Sequence, residues 1–123
     1  MSVRVKISCA DPQSNQSEFV FDQPSRCTIG RARDCDIRVP ADNGHIHVSR
    51  HHCLLDIDPP TVRVRDLGSL NGTYVNGHVV GRRPAAESLE VALRPSEPRQ
   101  LDNGDKLQVG DSVFQVDILN SEE

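Results

Sequence analysis

Tryptophan is absent from these 123 residues, and one tyrosine and three phenylalanines are the whole aromatic content. That removes the stacking platforms on which single-stranded nucleic acid is held. Positive charge is also scarce: 14 Lys and Arg against 18 Asp and Glu leave a net charge of −4. A chain so balanced has no electrostatic footprint for nucleic acid or an anionic membrane, so an anion would have to find a local basic pocket. No apolar run approaches the ~18 residues needed to span a bilayer, and residues 1–10 lack a signal peptide's apolar core and cleavage pattern. The expectation is a cytosolic protein. The four cysteines, Cys9, Cys27, Cys35 and Cys53, form no C-x-x-C pair, and a reducing compartment disfavours structural disulfides. Cys9, Cys27 and Cys53 lie in apolar stretches and read as small buried hydrophobes.

What is present is a series of short alternating runs. The length suits one domain, residues 1–123. Val3, Val5 and Ile7 alternate with Arg4 and Lys6, the period of a strand with one buried face. Ten similar runs follow, at 18–21, 27–29, 36–39, 52–57, 61–67, 73–75, 78–80, 89–94, 106–109 and 112–119. Asn76-Gly77 stands between two of them as a type I′ hairpin turn would, and Asn103-Gly104 and Gly110-Asp111 punctuate the last third. The best helical candidate, residues 85–93, is bounded by Pro84 and Pro95 and has too little apolar face to pack. Many short strands between regular turns predict an all-β sandwich or barrel. Residues 81–100, polar and proline-bearing, read as a surface insertion.

Three segments, "IGRARDCDI", "VSRHHC" and "DLGSLNGTYVNG", put anion-competent groups on turns. In a sandwich the loops gather at the two ends, so distant segments converge on one rim. A phosphate monoester carries about −1.5 to −2 charge, and the planar fork of an arginine such as Arg31 meets it with parallel charge-assisted hydrogen bonds. Ser49 would add a directional hydroxyl, and the Asn71 amide, both donor and acceptor, would hold an extended peptide's backbone. Taken singly, each of these residues is more often a solvated charge or a common turn former than a binding group.

Taken jointly, Gly30-Arg31, Ser49-x-x-His52 and Asn71-Gly72-Thr73 with Asn76-Gly77 resemble the signature of the forkhead-associated (FHA) domain, with a motif core at 30–77. The resemblance implies a β-sandwich of two packed sheets and about eleven strands, with binding loops at one end. It implies that Arg31 and Ser49 grip a phosphothreonine, Arg50 assists and Asn71 holds the ligand main chain, while Gly30, His52 and Gly72 are scaffold positions. The implied partner is a phosphothreonine-containing protein, a Ser/Thr kinase or its substrate, with no nucleic acid, membrane, cofactor or metal. Where many members place a hydroxyl residue before the Asn-Gly-Thr turn, this chain has Leu70, which leaves only its backbone to take part.

Other chemistries fit less well. A strand starting at His51-His52 would point the two rings to opposite faces, so His52 reads as a structural ring pinning the Ser49-Arg50 loop. His45-x-His47 with Cys53 lacks the ligand pair that would complete a zinc site. Ser49 lies in no G-x-S-x-G elbow, so a hydrolase is disfavoured and the protein reads as a non-enzyme. A phospho-independent interaction domain on the same sandwich is the alternative. The loops at 40–47 and 76–83 would read the ligand's flanks, with Arg82 and Arg83 favouring acidic side chains.

Overall fold

A computed structural model describes residues 2–9, 18–39, 47–83 and 95–121, and these form strands and turns with no helix among them. In chain order the strands are β1 (Ser2–Cys9), β2 (Glu18–Phe21), β3 (Ser25–Gly30), β4 (Ile37–Arg38), β5 (Cys53–Asp58) and β6 (Thr61–Asp66). They continue as β7 (Thr73–Val75), β8 (His78–Gly81), β9 (Arg99–Leu101), β10 (Lys106–Val109) and β11 (Ser112–Ser121). One sheet runs β2-β1-β11-β10-β7-β8 and the other β4-β3-β5-β6-β9. The short β4 lies parallel to β3, and the longer ladders, such as β1 with β11 and β5 with β6, are antiparallel.

The alternation seen in the sequence is what fills the space between the sheets. Val5 and Ile7 of β1, Leu55 and Ile57 of β5, Val62 and Val64 of β6, Leu107 and Val109 of β10, and Phe114 and Val116 of β11 all turn inward and are buried. Each such side chain contributes roughly 1.5–3 kcal/mol on leaving water. Phe114 is the one fully buried aromatic ring, so branched aliphatics carry the core, as the scarcity of aromatics requires. The expected type I′ hairpin is present: Asn76 and Gly77 have φ of 51° and 85°, and the turn joins β7 to β8. Asn76 also ties this hairpin to β10, donating its N–H to the Lys106 carbonyl and accepting the Lys106 N–H on Oδ1, each at 2.9 Å.

Strand boundaries differ from the sequence reading in instructive places. Both ends of the 81–100 span are strand, since Gly81 closes β8 and Arg99 opens β9. β9 was not expected because only Leu101 of its three residues is buried, which is too little to display an alternation. Its pairing with β6, Val62 opposite Leu101 and Val64 opposite Arg99, is what makes it a strand. The strand expected at 89–94 and the helical pattern at 85–93 lie outside the described residues. β5 begins at Cys53, so both His51 and His52 belong to the preceding loop. Because β3 and β6 run antiparallel to β5, the end of β3, the start of β5 and the end of β6 lie at one edge of the sheet. The loops β3–β4, β4–β5 and β6–β7 therefore share one end of the sandwich.

Candidate functional site

Backbone hydrogen bonds stitch these loops together. Arg31 N–H donates to the Ser49 carbonyl at 3.0 Å, Ala32 N–H to the Arg50 carbonyl at 2.9 Å, and Leu67 N–H to the His52 carbonyl at 3.0 Å. Gly30 is what lets the first two form, because a Cβ there would stand 2.1 Å from the Arg50 carbonyl oxygen. His52 completes the join. Its ring is 0% exposed, accepts the Ser49 N–H on Nδ1 at 3.0 Å and donates from Nε2 to the Gly72 carbonyl at 2.8 Å. Burial holds its pKa below the ordinary histidine value, which favours the neutral ring this pattern needs.

The loops that carry the side chains singled out in the sequence meet on this frame. Arg31 Nε–H donates to the Val48 carbonyl, which fixes the guanidinium beside the Ser49 loop. Ser49 Oγ accepts the Leu70 N–H at 3.1 Å, so its own O–H is left to donate outward. The same bond engages the Leu70 backbone, and the residue stands 58% exposed. Asn71 Nδ2 donates to the His47 carbonyl at 3.1 Å, which leaves its Oδ1 and second N–H available. Arg31 and Arg50 line one open cavity of about 530 Å³ together with Ala32, Arg33, Asp34, Arg38 and His51. Ser49 and Asn71 border the neighbouring loops and do not line it. Arg82 and Arg83, expected to favour acidic ligand side chains, each donate Nε–H to the β6–β7 loop, to the Leu70 and Gly68 carbonyls respectively, at 3.1 Å, which leaves their terminal nitrogens over.

Sequence reasoning missed the residue that shapes that loop. Asp66, 2% exposed, accepts the N–H groups of Gly68 and Ser69 on Oδ2 at 3.0 and 2.9 Å, and the hydroxyls of Ser69 and Thr73 on Oδ1 at 2.5 and 2.7 Å. Ser69 Oγ in turn accepts the Gly72 N–H at 3.0 Å. The signal was available in "DLGS": an aspartate two residues before a glycine forms an Asx turn, which holds its own following backbone. Thr73 thereby acquires a role inside the fold, as a partner of Asp66.

Residues 27–110 match the FHA domain family. The chain belongs to that family. Over 94 residues this FHA domain is 35% identical to the glycogen accumulation regulator GarA of Mycolicibacterium smegmatis, an alignment that takes in 76% of this chain and 46% of that protein. The chain thus spans less than half the length of that relative. Its fold matches the FhaA FHA domain complexed with the intracellular domain of Rv3910, with TM-score 0.65, 26% identity, and coverage of 91% of this chain and 98% of that one. It also shares the fold of the kinase-interacting FHA domain of kinase associated protein phosphatase, KAPP, in Arabidopsis, with TM-score 0.75, 21% identity, and coverage of 99% and 98%.

Two further clusters of this FHA domain bear on metal and redox chemistry. Donor atoms of Asp34, Cys35 and His51 lie within 4.8 Å of one another. The three donors sit among four arginines whose charge opposes a cation, and the Cys35 thiol is turned to the Arg50 carbonyl at 3.2 Å. His51 Nε2 is 2.9 Å from Asp34 Oδ1, and this hydrogen bond holds the Asp34 carboxyl below the usual carboxylate range. All four cysteines are free thiols. Burial pushes the Cys27 thiol up to about 12 and raises those of Cys35 and Cys53, which leaves them protonated and unreactive near neutrality.

Proposed function

We propose that this FHA domain is a phosphothreonine-dependent protein-interaction module. Arg31 and Ser49 grip the phosphate, Arg50 assists, and Asn71 holds the ligand's main chain. The observation that supports the reading is the convergence of three loops, locked by Gly30, His52 and Asp66, that sets Arg31 and Arg50 on one cavity with the Ser49 loop hydrogen-bonded beside it. A chain of net charge −4 that gathers guanidinium groups at one point is built for a local anion. A partner domain is recorded for FhaA, and here the partner is a protein phosphorylated by a Ser/Thr kinase. The domain binds that partner and performs no chemistry on it.

An oriented phosphothreonine-peptide library, screened against the whole chain with its dephosphorylated copy as control, tests this. Binding confined to the phosphorylated pool supports the proposal. Equal binding of both pools would replace it with phospho-independent recognition on the same sandwich.

A further inference from the structure

Two guanidinium groups suffice to neutralise one phosphate of about −1.5 to −2 charge. The cavity has four, from Arg31, Arg33, Arg38 and Arg50. Its single acid, Asp34, is taken by His51 at 2.9 Å, and among the described residues no carboxylate forms an ion pair with any of the four arginines. Arg33 follows Arg31 by two residues on the β3–β4 loop, and Arg38 is set beside Arg31 because β4 pairs parallel to β3 with Gly30 opposite Arg38. Arg38 Nε–H donates to the Arg31 carbonyl at 3.2 Å, leaving its terminal nitrogens unspent. Arg33, Asp34, Arg38, Arg50 and His51 are all exposed, so the charge faces the solvent from which a ligand arrives. The volume of about 530 Å³ lies within the roughly 300–1,000 Å³ of pockets that enclose whole small molecules, more room than one phosphate fills.

Four like charges on one wall repel one another, and a single phosphate relieves only half of that. We propose that the ligand of this site carries a second anionic group close to its phosphothreonine, a phosphate or a carboxylate, and that Arg33 and Arg38 receive it. The inference rests on the phosphothreonine reading and deepens it: the preferred partner is doubly phosphorylated or acidic beside its phosphosite.

The test uses three peptide pools with randomised uncharged flanks: phosphothreonine alone, phosphothreonine with a phosphoserine stepped through neighbouring positions, and phosphothreonine with a glutamate stepped likewise. Each is titrated against the whole chain and its Arg33→Gln, Arg38→Gln and double variants. The expected result is a gain of about tenfold in affinity at one or two positions of the second anion, about 1.4 kcal/mol. That gain should vanish in the double variant while the singly phosphorylated pool keeps its affinity within about twofold. A gain from phosphoserine but not glutamate assigns the second group as phosphate; equal gains assign it as any acid. No gain at any position, or a gain that survives the double variant, overturns the inference with the phosphothreonine reading intact. Loss of the singly phosphorylated pool's affinity by the same factor in Arg38→Gln would also overturn it, because Arg38 would then act only through Arg31. Failure of every phosphorylated pool to bind the unaltered chain overturns the phosphothreonine reading itself.

Discussion

Ser49 N–H donates to Nδ1 of His52 at 3.0 Å, and this bond decides which ring nitrogen carries the proton. With Nδ1 an acceptor, the hydrogen sits on Nε2 and is donated to Gly72 at 2.8 Å. One neutral ring therefore spans the two loops that hold the serine and the asparagine of the site. A second proton would have to go to Nδ1 and would expel the Ser49 N–H.

A pH dependence follows from burial, which lowers the folded-state pKa of His52. The unfolded chain takes up a proton below about 6.5, its ordinary value, while the folded protein refuses it until lower pH. The stabilisation is thus complete above about 6.5 and is lost as pH falls through the folded-state value. Asp34, also lowered, loses its contribution only below the ordinary carboxylate range, so the two windows are separate. Urea midpoints should fall between pH 7.5 and pH 5.5, and His52→Asn, whose amide oxygen still accepts the Ser49 N–H, should flatten that fall. An equal slope in both proteins would assign the pH dependence elsewhere.

Arg31 separates binding from folding. In the proposed reading its guanidinium fork meets the ligand's phosphate, while its Nε–H donates to the Val48 carbonyl. Arg31→Ala should weaken phosphothreonine-peptide binding by about 1.5–3 kcal/mol, the worth of a charge-assisted hydrogen bond, or roughly 10- to 150-fold. Arg31→Lys should recover only part of this, because an ammonium keeps the charge without the planar fork. Isothermal titration on variants whose thermal midpoint is within a few degrees of the original checks both. Full recovery by lysine would mean that point charge, not bidentate geometry, is what the phosphate meets.

Asp66 should matter more to stability than any residue that touches the ligand. Asp66→Asn turns one acceptor oxygen into an NH2 that faces buried donors, leaving at least one of them unpaired at a cost of about 1–3 kcal/mol. Affinity should fall with stability, since Ser69 and Gly72 shape the turn that presents Asn71. Chemical denaturation gives the first quantity and peptide titration the second. A variant as stable as the original would show that the carboxylate is dispensable.

Much of this was readable in advance where the physics is local. The alternation of Val5, Ile7, Leu55, Ile57 and Val116 announces a buried face because strand geometry sends neighbours to opposite sides. Arg31, Ser49 and Asn71 announce turns that carry anion-competent groups, and the fold brings their loops together. What was not legible depends on pairing across long stretches of chain. β9 exists because Val62 and Val64 offer it an edge, and nothing in Arg99-Gln100-Leu101 reveals that. Asp66 looked like the polar end of a strand, and only the return of Thr73 to within 2.7 Å makes it a hub. The bonds of Arg82 and Arg83 to the Leu70 and Gly68 carbonyls are likewise made by the fold and not by neighbours in sequence.

The thiols give a test of burial independent of any ligand. With the Cys27 thiol pushed up to about 12 and those of Cys35 and Cys53 raised, the thiolate needed for alkylation is nearly absent near neutral pH. In native protein treated with iodoacetamide at pH 7.5, peptide mass spectrometry should find these three unmodified, with half-buried Cys9 as the internal comparison. In urea all four should react. Native labelling of Cys35 as fast as Cys9 would mean that the β3–β4 loop opens readily.

Gly30 and Gly77 are both motif glycines, and the structure separates their reasons. At Gly77 the constraint is conformational: φ is +85° and nothing stands within 4 Å of an added Cβ. Gly77→Ala should therefore cost about 1 kcal/mol or a little more from the left-handed backbone alone and leave peptide affinity unchanged. At Gly30 the constraint is contact, because the added carbon would lie 2.1 Å from the Arg50 carbonyl oxygen, 2.8 Å from its carbon and 3.0 Å from Cys35 Sγ. Two of those atoms are backbone, and the same oxygen already holds the Ala32 N–H and the Cys35 thiol. Relief requires the Ser49-Arg50 loop to shift off β3, so Gly30→Ala should lose about 1–3 kcal/mol of stability and, unlike Gly77→Ala, should also weaken phosphopeptide binding. Urea midpoints and peptide dissociation constants for the two variants, measured side by side, distinguish the cases; a Gly30→Ala protein that binds as tightly as the original would show that the loop's position over β3 is not what assembles the site.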